Sequence, residues 1–259
     1  MLLAVDVGNT STVLGMFKRE RLLDEWRMQT TPSRSVRELW VHVRSFAEES
    51  RVGPRDIGGV VISSVVPRLT GTFEAMAIKH LGKEPVIVSG DIDSGMRVLY
   101  DNPSQLGADR LCNAVAAFAR FGGPAIVIDF GTATTFDVIS AKGEYLGGVI
   151  APGVETAAAG LHRHTAKLHS VGLEFPERVI GTNTVDGMQS GIMYGALDAM
   201  EGIVRRIKAV IGRNATVVAT GGYAQIIAGK SATITHVEPM LVLEGARLIY
   251  ERVKGRKRK

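Results

Sequence analysis

Long apolar runs are missing from this 259-residue chain. No uninterrupted stretch reaches the ~18 residues that span a bilayer, so no membrane partner is expected. There is no basic segment followed by a hydrophobic one at the N-terminus, which runs straight into Leu2-Leu3-Ala4-Val5. That excludes the pattern of a secretory leader, and a cytoplasmic location is expected. Cysteine is nearly absent. A lone Cys112 rules out an intramolecular disulfide framework and fits a reducing compartment. Its setting, Leu111-Cys112-Asn113-Ala114-Val115-Ala116-Ala117-Phe118, reads as a packed helix with an inert thiol.

A charge excess in the folded body is missing too. The net +5 comes from Lys254, Arg256, Lys257, Arg258 and Lys259; without them, 26 basic residues face 26 acidic ones. The tail reads as a solvated, frayed terminus, and nucleic acid is not expected as a partner. Three familiar motifs also fail. No two glycines lie two residues apart, which excludes the G-x-G-x-x-G dinucleotide fingerprint. Gly229-Lys230-Ser231 looks like the end of a P-loop, but Ala224 stands where its first glycine is required. His162, His164 and His169 have no acidic or thiolate partners at zinc spacing and read as loop or surface residues.

What is present is a motif stated twice. Leu3-Ala4-Val5-Asp6-Val7-Gly8-Asn9-Thr10-Ser11-Thr12-Val13 returns, half a chain later, as Ile126-Val127-Ile128-Asp129-Phe130-Gly131-Thr132-Ala133-Thr134-Thr135-Phe136. Each copy is an apolar strand that delivers an Asp, a Gly-centred turn rich in hydroxyls, and a second strand. A carboxylate at the end of a buried strand is costly unless it meets a cation or hydrogen-bond donors. Turn N–H groups and the hydroxyls of Thr10, Ser11, Thr132 and Thr134 can converge on phosphate oxygens. An adjacent Asp can hold the metal that accompanies a nucleoside triphosphate. A duplicated fold with two phosphate-facing hairpins across a nucleotide cleft is the simplest reading.

The rest of the chain fits two α/β halves. A composition of 45% apolar and 22% charged residues supports a sizeable core. Strands are expected through Leu22–Met28, at Gly59–Ser63 and at Pro85–Val88, with helices over Val36–Glu49, from Pro67 toward Leu81, and over Gly107–Phe121. Asp91–Gln105 is polar and reads as a long functional loop. The second half repeats the theme. Strands are expected at Ala125–Asp129, Thr134–Ile139, Tyr145–Val149 and Thr216–Thr220, and helices over Val154–His164, Thr184–Ile211 and from Pro239 onward. Strands before helices in each half argue for a two-lobed α/β protein. The expected division is 1–121, 122–253 and a basic tail 254–259.

Several motifs together resemble the type III pantothenate kinase family of the acetate and sugar kinase, Hsp70 and actin superfamily. They are Asp6-Val7-Gly8-Asn9-Thr10, Gly107-Ala108-Asp109-Arg110, Asp129-Phe130-Gly131-Thr132-Ala133-Thr134, Gly147-Gly148-Val149-Ile150-Ala151-Pro152-Gly153, Ala219-Thr220-Gly221-Gly222, and Thr184 with Met188-Gln189-Ser190-Gly191. The resemblance implies a duplicated, actin-like (ribonuclease H-like) ATPase fold with the nucleotide cleft between its lobes. It implies ATP-dependent phosphorylation of pantothenate at the entry to coenzyme A synthesis. By the same resemblance, Asp6, Val7, Gly8, Asn9, Thr10, Ser11, Thr12, Val13 and Thr132 would meet ATP, with Asp6 near its magnesium. Asp129 would coordinate a monovalent cation, potassium or ammonium. Gly221-Gly222 would lie against adenosine. Tyr100, Gly107, Ala108, Asp109 and Arg110 would line the pantothenate pocket, and Thr184 would close it from the second chain of a homodimer. Asp109 would be the general base. From the residues alone, the alternative for Asp109 is a first-turn helix residue paired with Arg110. The chain departs from the family at His169, where Pro is common. A kinase of the same superfamily with another small substrate, or a non-catalytic regulator of the same fold, are the competing readings; the fold by itself does not choose among them.

Overall fold

The computed structural model describes residues 1–164, 168 and 170–256. The chain divides into two compact units, Met1–Ala119 with Met240–Lys259, and Arg120–Pro239.

The first unit opens with an antiparallel meander, β1 (Leu2–Val7), β2 (Ser11–Lys18) and β3 (Arg21–Gln29). Helix α1 (Val36–Glu49) follows. It starts where Ser35 and Glu38 form a reciprocal capping box, so two otherwise orphaned backbone donors are satisfied. β4 (Gly59–Ser64) pairs parallel to β1, α2 (Pro67–Met76) has Pro67 in its first turn, and β5 (Val86–Ile87) pairs parallel to β4. The resulting order is β3-β2-β1-β4-β5. Period-2 alternation sends Leu3, Val5 and Val7 to one face, where they pack with Leu39 and Val43 of α1 and Leu69 and Phe73 of α2. Asp6 lies in register with Ala4 on the opposite face. The segment after β5 holds only the short β6 (Arg97–Val98) and a 3-10 turn at Pro103–Gln105, as the loop expectation requires. It leads into α3 (Ala108–Phe121).

The second unit repeats the plan. β7 (Ala125–Phe130), β8 (Ala133–Ile139) and β9 (Glu144–Pro152) form the meander. α4 (Val154–His164) and α5 (Thr184–Ile211) follow. β10 (Thr216–Thr220) pairs parallel to β7; α6 (Ala224–Ala228) and β11 (His236–Val237), both absent from the sequence reading, come next. Within this unit the strands run β9-β8-β7-β10-β11, which repeats the β3-β2-β1-β4-β5 order of the first unit strand for strand. Ile126, Ile128 and Phe130 pack with Met193, Leu197 and Met200 of α5.

Two expectations about the C-terminus need correction. The last helix, α7 (Leu241–Arg256), belongs with the first unit, not with the second half of the chain. Its small residues explain why. A Cβ on Gly245 would overlap the Cys112 carbonyl of α3, so the two backbones touch, and Leu243 sits against Gly15 of β2. The expected frayed tail is also not free through residue 256. α7 continues to Arg256, whose guanidinium pairs with Asp93. Residues 257–259 and His169 lie outside the described residues, as does the side chain of His164.

Candidate active site

Both copies of the Asp-bearing hairpin are built as the repeat requires, but they are not identical. In the first, Asp6 stands opposite Val13 and beside Ser63 of β4. The fully buried Ser63 hydroxyl donates to Asp6 Oδ1 at 2.9 Å and aims the carboxylate. Three residues, 8–10, make the turn, closed by the Gly8 N–H donating to Ser11 O at 3.0 Å. In the second, Asp129 stands opposite Thr135 and beside Thr220 of β10. Only Gly131 and Thr132 make that turn, one residue fewer, with Gly131 N–H donating to Ala133 O at 3.1 Å.

The braces of these turns were not legible in the sequence. Thr30, just past β3, donates its hydroxyl to Gly8 O at 2.7 Å and lies 2.9 Å from the Thr12 hydroxyl. Its own N–H donates to Thr10 O at 2.9 Å. The second turn is held from α4: Thr132 O accepts from Gly153 N–H at 3.2 Å and from the Thr156 hydroxyl at 2.6 Å. A Cβ on Gly153 would overlap the Gly131 carbonyl, which accounts for that glycine of the Gly147–Gly153 segment. Of the nine residues expected to meet ATP, Val7, Thr12 and Val13 bury their side chains, so they can offer only backbone there. Asn9, Thr10 and Thr132 are exposed, and Gly8 and Ser11 partly so.

Asp109 occupies the first turn of α3. Its Oδ1 accepts the Arg110 N–H at 2.8 Å and folds back over Gly107, where a side chain would collide with the carboxylate. Burial raises its pKa above the ordinary value of 3.8; the Arg110 backbone bond and guanidinium oppose the rise. A desolvated carboxylate with a raised pKa is suited to take a proton. Cys112, one turn further along α3, is fully buried. Its thiol is pushed well up by burial and then by the carboxylates of Asp6 and Asp109, against a hydrogen bond with Ser63. The inert reading of Cys112 fits this, and the thiol shows that both carboxylates lie within its electrostatic reach. Ala108 and Arg110 are buried, Gly107 and Tyr100 partly exposed. Thr184 lies apart from them in sequence and unit: it is the exposed first residue of α5, after the N-cap Asn183.

On the second unit, Gly221 adopts φ +90 directly against Asp129, with room for no side chain. Tyr223 follows that turn and donates to Glu155 Oε1 at 2.7 Å, joining the Gly221-Gly222 turn to the start of α4. Burial and then the Glu155 bond push its phenol up to about 12. Among the described residues no cluster of three or more His, Cys, Asp or Glu could hold a metal. Single carboxylates such as Asp6 and Asp129 supply hard oxygen donors. A lone carboxylate such as Asp6 fits a magnesium that keeps its waters and the phosphates of a nucleotide as its other ligands, and not an all-protein cage. No helix among the described residues is long and apolar enough to cross a membrane.

Comparison with known proteins bears on these features together. The family model for type III pantothenate kinase matches residues 2–206. Type III pantothenate kinase of Roseiflexus castenholzii is 48% identical over 251 residues, 97% of this chain and 98% of that one. That of Moorella thermoacetica is also 48% identical, over 97% of this chain and 99% of its own length. Two solved structures share the fold at low identity. A conserved putative Baf family transcriptional activator from Campylobacter jejuni has TM-score 0.61 at 17% identity, covering 98% of this chain and 99% of its own. The activator of 2-hydroxyisocaproyl-CoA dehydratase from Clostridium difficile, with bound ADPNP, has TM-score 0.61 at 13% identity, covering 100% and 97%.

Proposed function

The chain belongs to the type III pantothenate kinase family, and from that membership we propose that it transfers the γ-phosphoryl group of ATP to pantothenate, giving 4'-phosphopantothenate for coenzyme A synthesis. The structural observation that carries the chemistry is Asp109, a half-buried carboxylate with a raised pKa at the mouth of α3. The pantothenate hydroxyl oxygen attacks the γ-phosphorus, its proton passes to the Asp109 carboxylate, and ADP leaves with the bridging oxygen. Such transfers depend on in-line positioning and charge neutralisation more than on covalent chemistry. The turns at Gly8–Ser11 and Gly131–Thr132 offer backbone N–H groups and hydroxyls for the phosphates. Asp6, oriented by Ser63, would hold the magnesium, which neutralises phosphate charge when bound with ATP. Asp129, backed by Gly221, would hold a potassium or ammonium ion. Tyr100, Gly107, Ala108 and Arg110 would line the pantothenate pocket.

The reading includes a cytoplasmic homodimer in which Thr184 of one chain closes the pocket of the other. Support comes from α5. Gly187, Gly191 and Gly195 are exposed, and a Cβ on any of them would meet nothing within 4 Å among the described residues, so these three positions are open. Ile180 and Val185 beside it are 83% and 50% exposed, a combination that suits close approach of a second helix. A coupled assay of ADP release with ATP, magnesium, potassium and pantothenate tests the function. Turnover with pantothenate and none with sugars or small acids is expected; the reverse pattern would overturn it.

A further inference from the structure

The C-terminal helix reaches the loop that precedes the catalytic carboxylate. Asp93 lies in the segment between β5 and α3. Its Oδ1 accepts from Arg252 Nε at 2.8 Å, and its Oδ2 pairs with Arg256 one turn further along α7. The loop is shaped to the arginine. Gly95 turns at φ +82, and a Cβ there would stand 3.0 Å from Arg252 Cζ. The buried Ser94 accepts the Met96 N–H at 3.3 Å and braces the same bend. The loop is closed on itself as well, since a Cβ on Gly90 would overlap the Pro103 carbonyl. α7 in turn touches α3 through Gly245 and Cys112, one turn beyond Asp109. One helix thus contacts both the α3 backbone and the loop that carries Tyr100.

We propose that Arg252 and Arg256, through Asp93, are positioning residues that strap the Tyr100 loop in the conformation that receives pantothenate. This rests on the pantothenate reading above. The Arg252 hydrogen bond and then both guanidinium charges hold the Asp93 carboxyl below its ordinary value, so the strap stays charged across the working pH range. All three side chains are exposed, so the strap is worth only a modest amount, and its loss is felt as a looser loop and not as a failure to fold.

The test is kinetic, on the full chain. Asp93→Asn is expected to raise KM for pantothenate about 2–5-fold, the upper part of the range that an interaction of this exposed kind supports. The kcat and the KM for ATP should stay within about twofold. Arg252→Ala combined with Arg256→Ala should do the same, and the triple variant should be no worse than Asp93→Asn alone, because all three act through one contact. Arg252→Lys, which keeps the charge, should recover part of the loss. Amide hydrogen exchange should quicken over residues 91–102 in Asp93→Asn and nowhere else. An unchanged pantothenate KM, an equal rise in the KM for ATP, or additive losses would each overturn the proposal, as would unchanged exchange in the loop. A wild-type chain that fails to phosphorylate pantothenate would defeat the functional reading instead, and the exchange measurement would still judge the strap.

Discussion

Replacing Asp109 by Asn separates the proposed base from the scaffold. Asn keeps the planar shape and the Oδ1 that accepts the Arg110 N–H at 2.8 Å. It removes the negative charge and the ability to accept a proton. A lost general base lowers turnover by roughly 10²–10⁴-fold, or about 2.7–5.4 kcal/mol on the barrier. The stability effect has the opposite sign. Burial raises the folded-state pKa of Asp109 above its ordinary 3.8. The folded chain therefore holds this proton more tightly than the unfolded one. The contribution to stability is present in full below the unfolded pKa and is lost as pH rises through the raised folded value. At neutral pH the ionised carboxylate is a burden on the fold, and Asn relieves it. The expected result is a variant with ATP affinity close to wild type, turnover down by two to four decades, and a melting temperature at pH 7 equal to wild type or higher. The same shift predicts that wild-type kcat/KM falls with acid through a pKa above the usual aspartate value, and that this limb is absent from the residual activity of the variant. Steady-state kinetics from pH 4.5 to 8 with calorimetry on both proteins checks it. Near-normal turnover in the folded variant would falsify the assignment of the base. A large drop in melting temperature would show that the carboxylate serves as a helix residue paired with Arg110.

Other consequences follow from particular contacts. Gly245→Ala places a methyl group on the Cys112 carbonyl; overpacking of this kind costs about 1–3 kcal/mol, so urea unfolding should shift accordingly, and an unchanged midpoint would mean that α7 and α3 separate freely. Thr30→Val removes the hydroxyl that donates to Gly8 O and is expected to raise the KM for ATP several-fold, roughly the ~1 kcal/mol of one hydrogen bond, with little change for pantothenate; a shift confined to pantothenate contradicts the brace. Potassium or ammonium should activate the enzyme and sodium should do so poorly, and full activity after their exhaustive removal would leave Asp129 without the proposed ion. Asp109→Asn mixed with Thr184→Arg, each inactive alone, should recover about a quarter of wild-type activity after subunit exchange, since half the dimers are mixed and each has one intact pocket. No recovery, or a monomer by light scattering, rules out the shared pocket.

The sequence by itself determined the local and the repeated features, because those depend on short-range pattern. Apolar alternation and the Asp-bearing glycine turns marked β1–β2 and β7–β8, and apolar periodicity marked α1 over Val36–Glu49, where it is found. Pro67 and Gly107 marked the starts of α2 and α3 within a few residues. Asp6 and Asp129 stood out because a carboxylate beside a glycine turn is a chemical statement made within a few positions, whereas Asp109 was singled out by the family resemblance of Gly107-Ala108-Asp109-Arg110. Tertiary structure alone decided what meets across long separations. Ser63 aims Asp6 from 57 residues away, and Arg252 holds Asp93 from 159 away. Neither pair leaves a periodic trace, since one hydroxyl or one arginine is consistent with many environments. The placement of α7 was equally hidden. Its sequence is that of any amphipathic helix, and only the lack of a side chain at Gly245, where α3 comes into backbone contact, decides which unit it completes. The basic end that reads as a loose tail is, through Arg256, the last turn of that helix, because Asp93 is there to receive it.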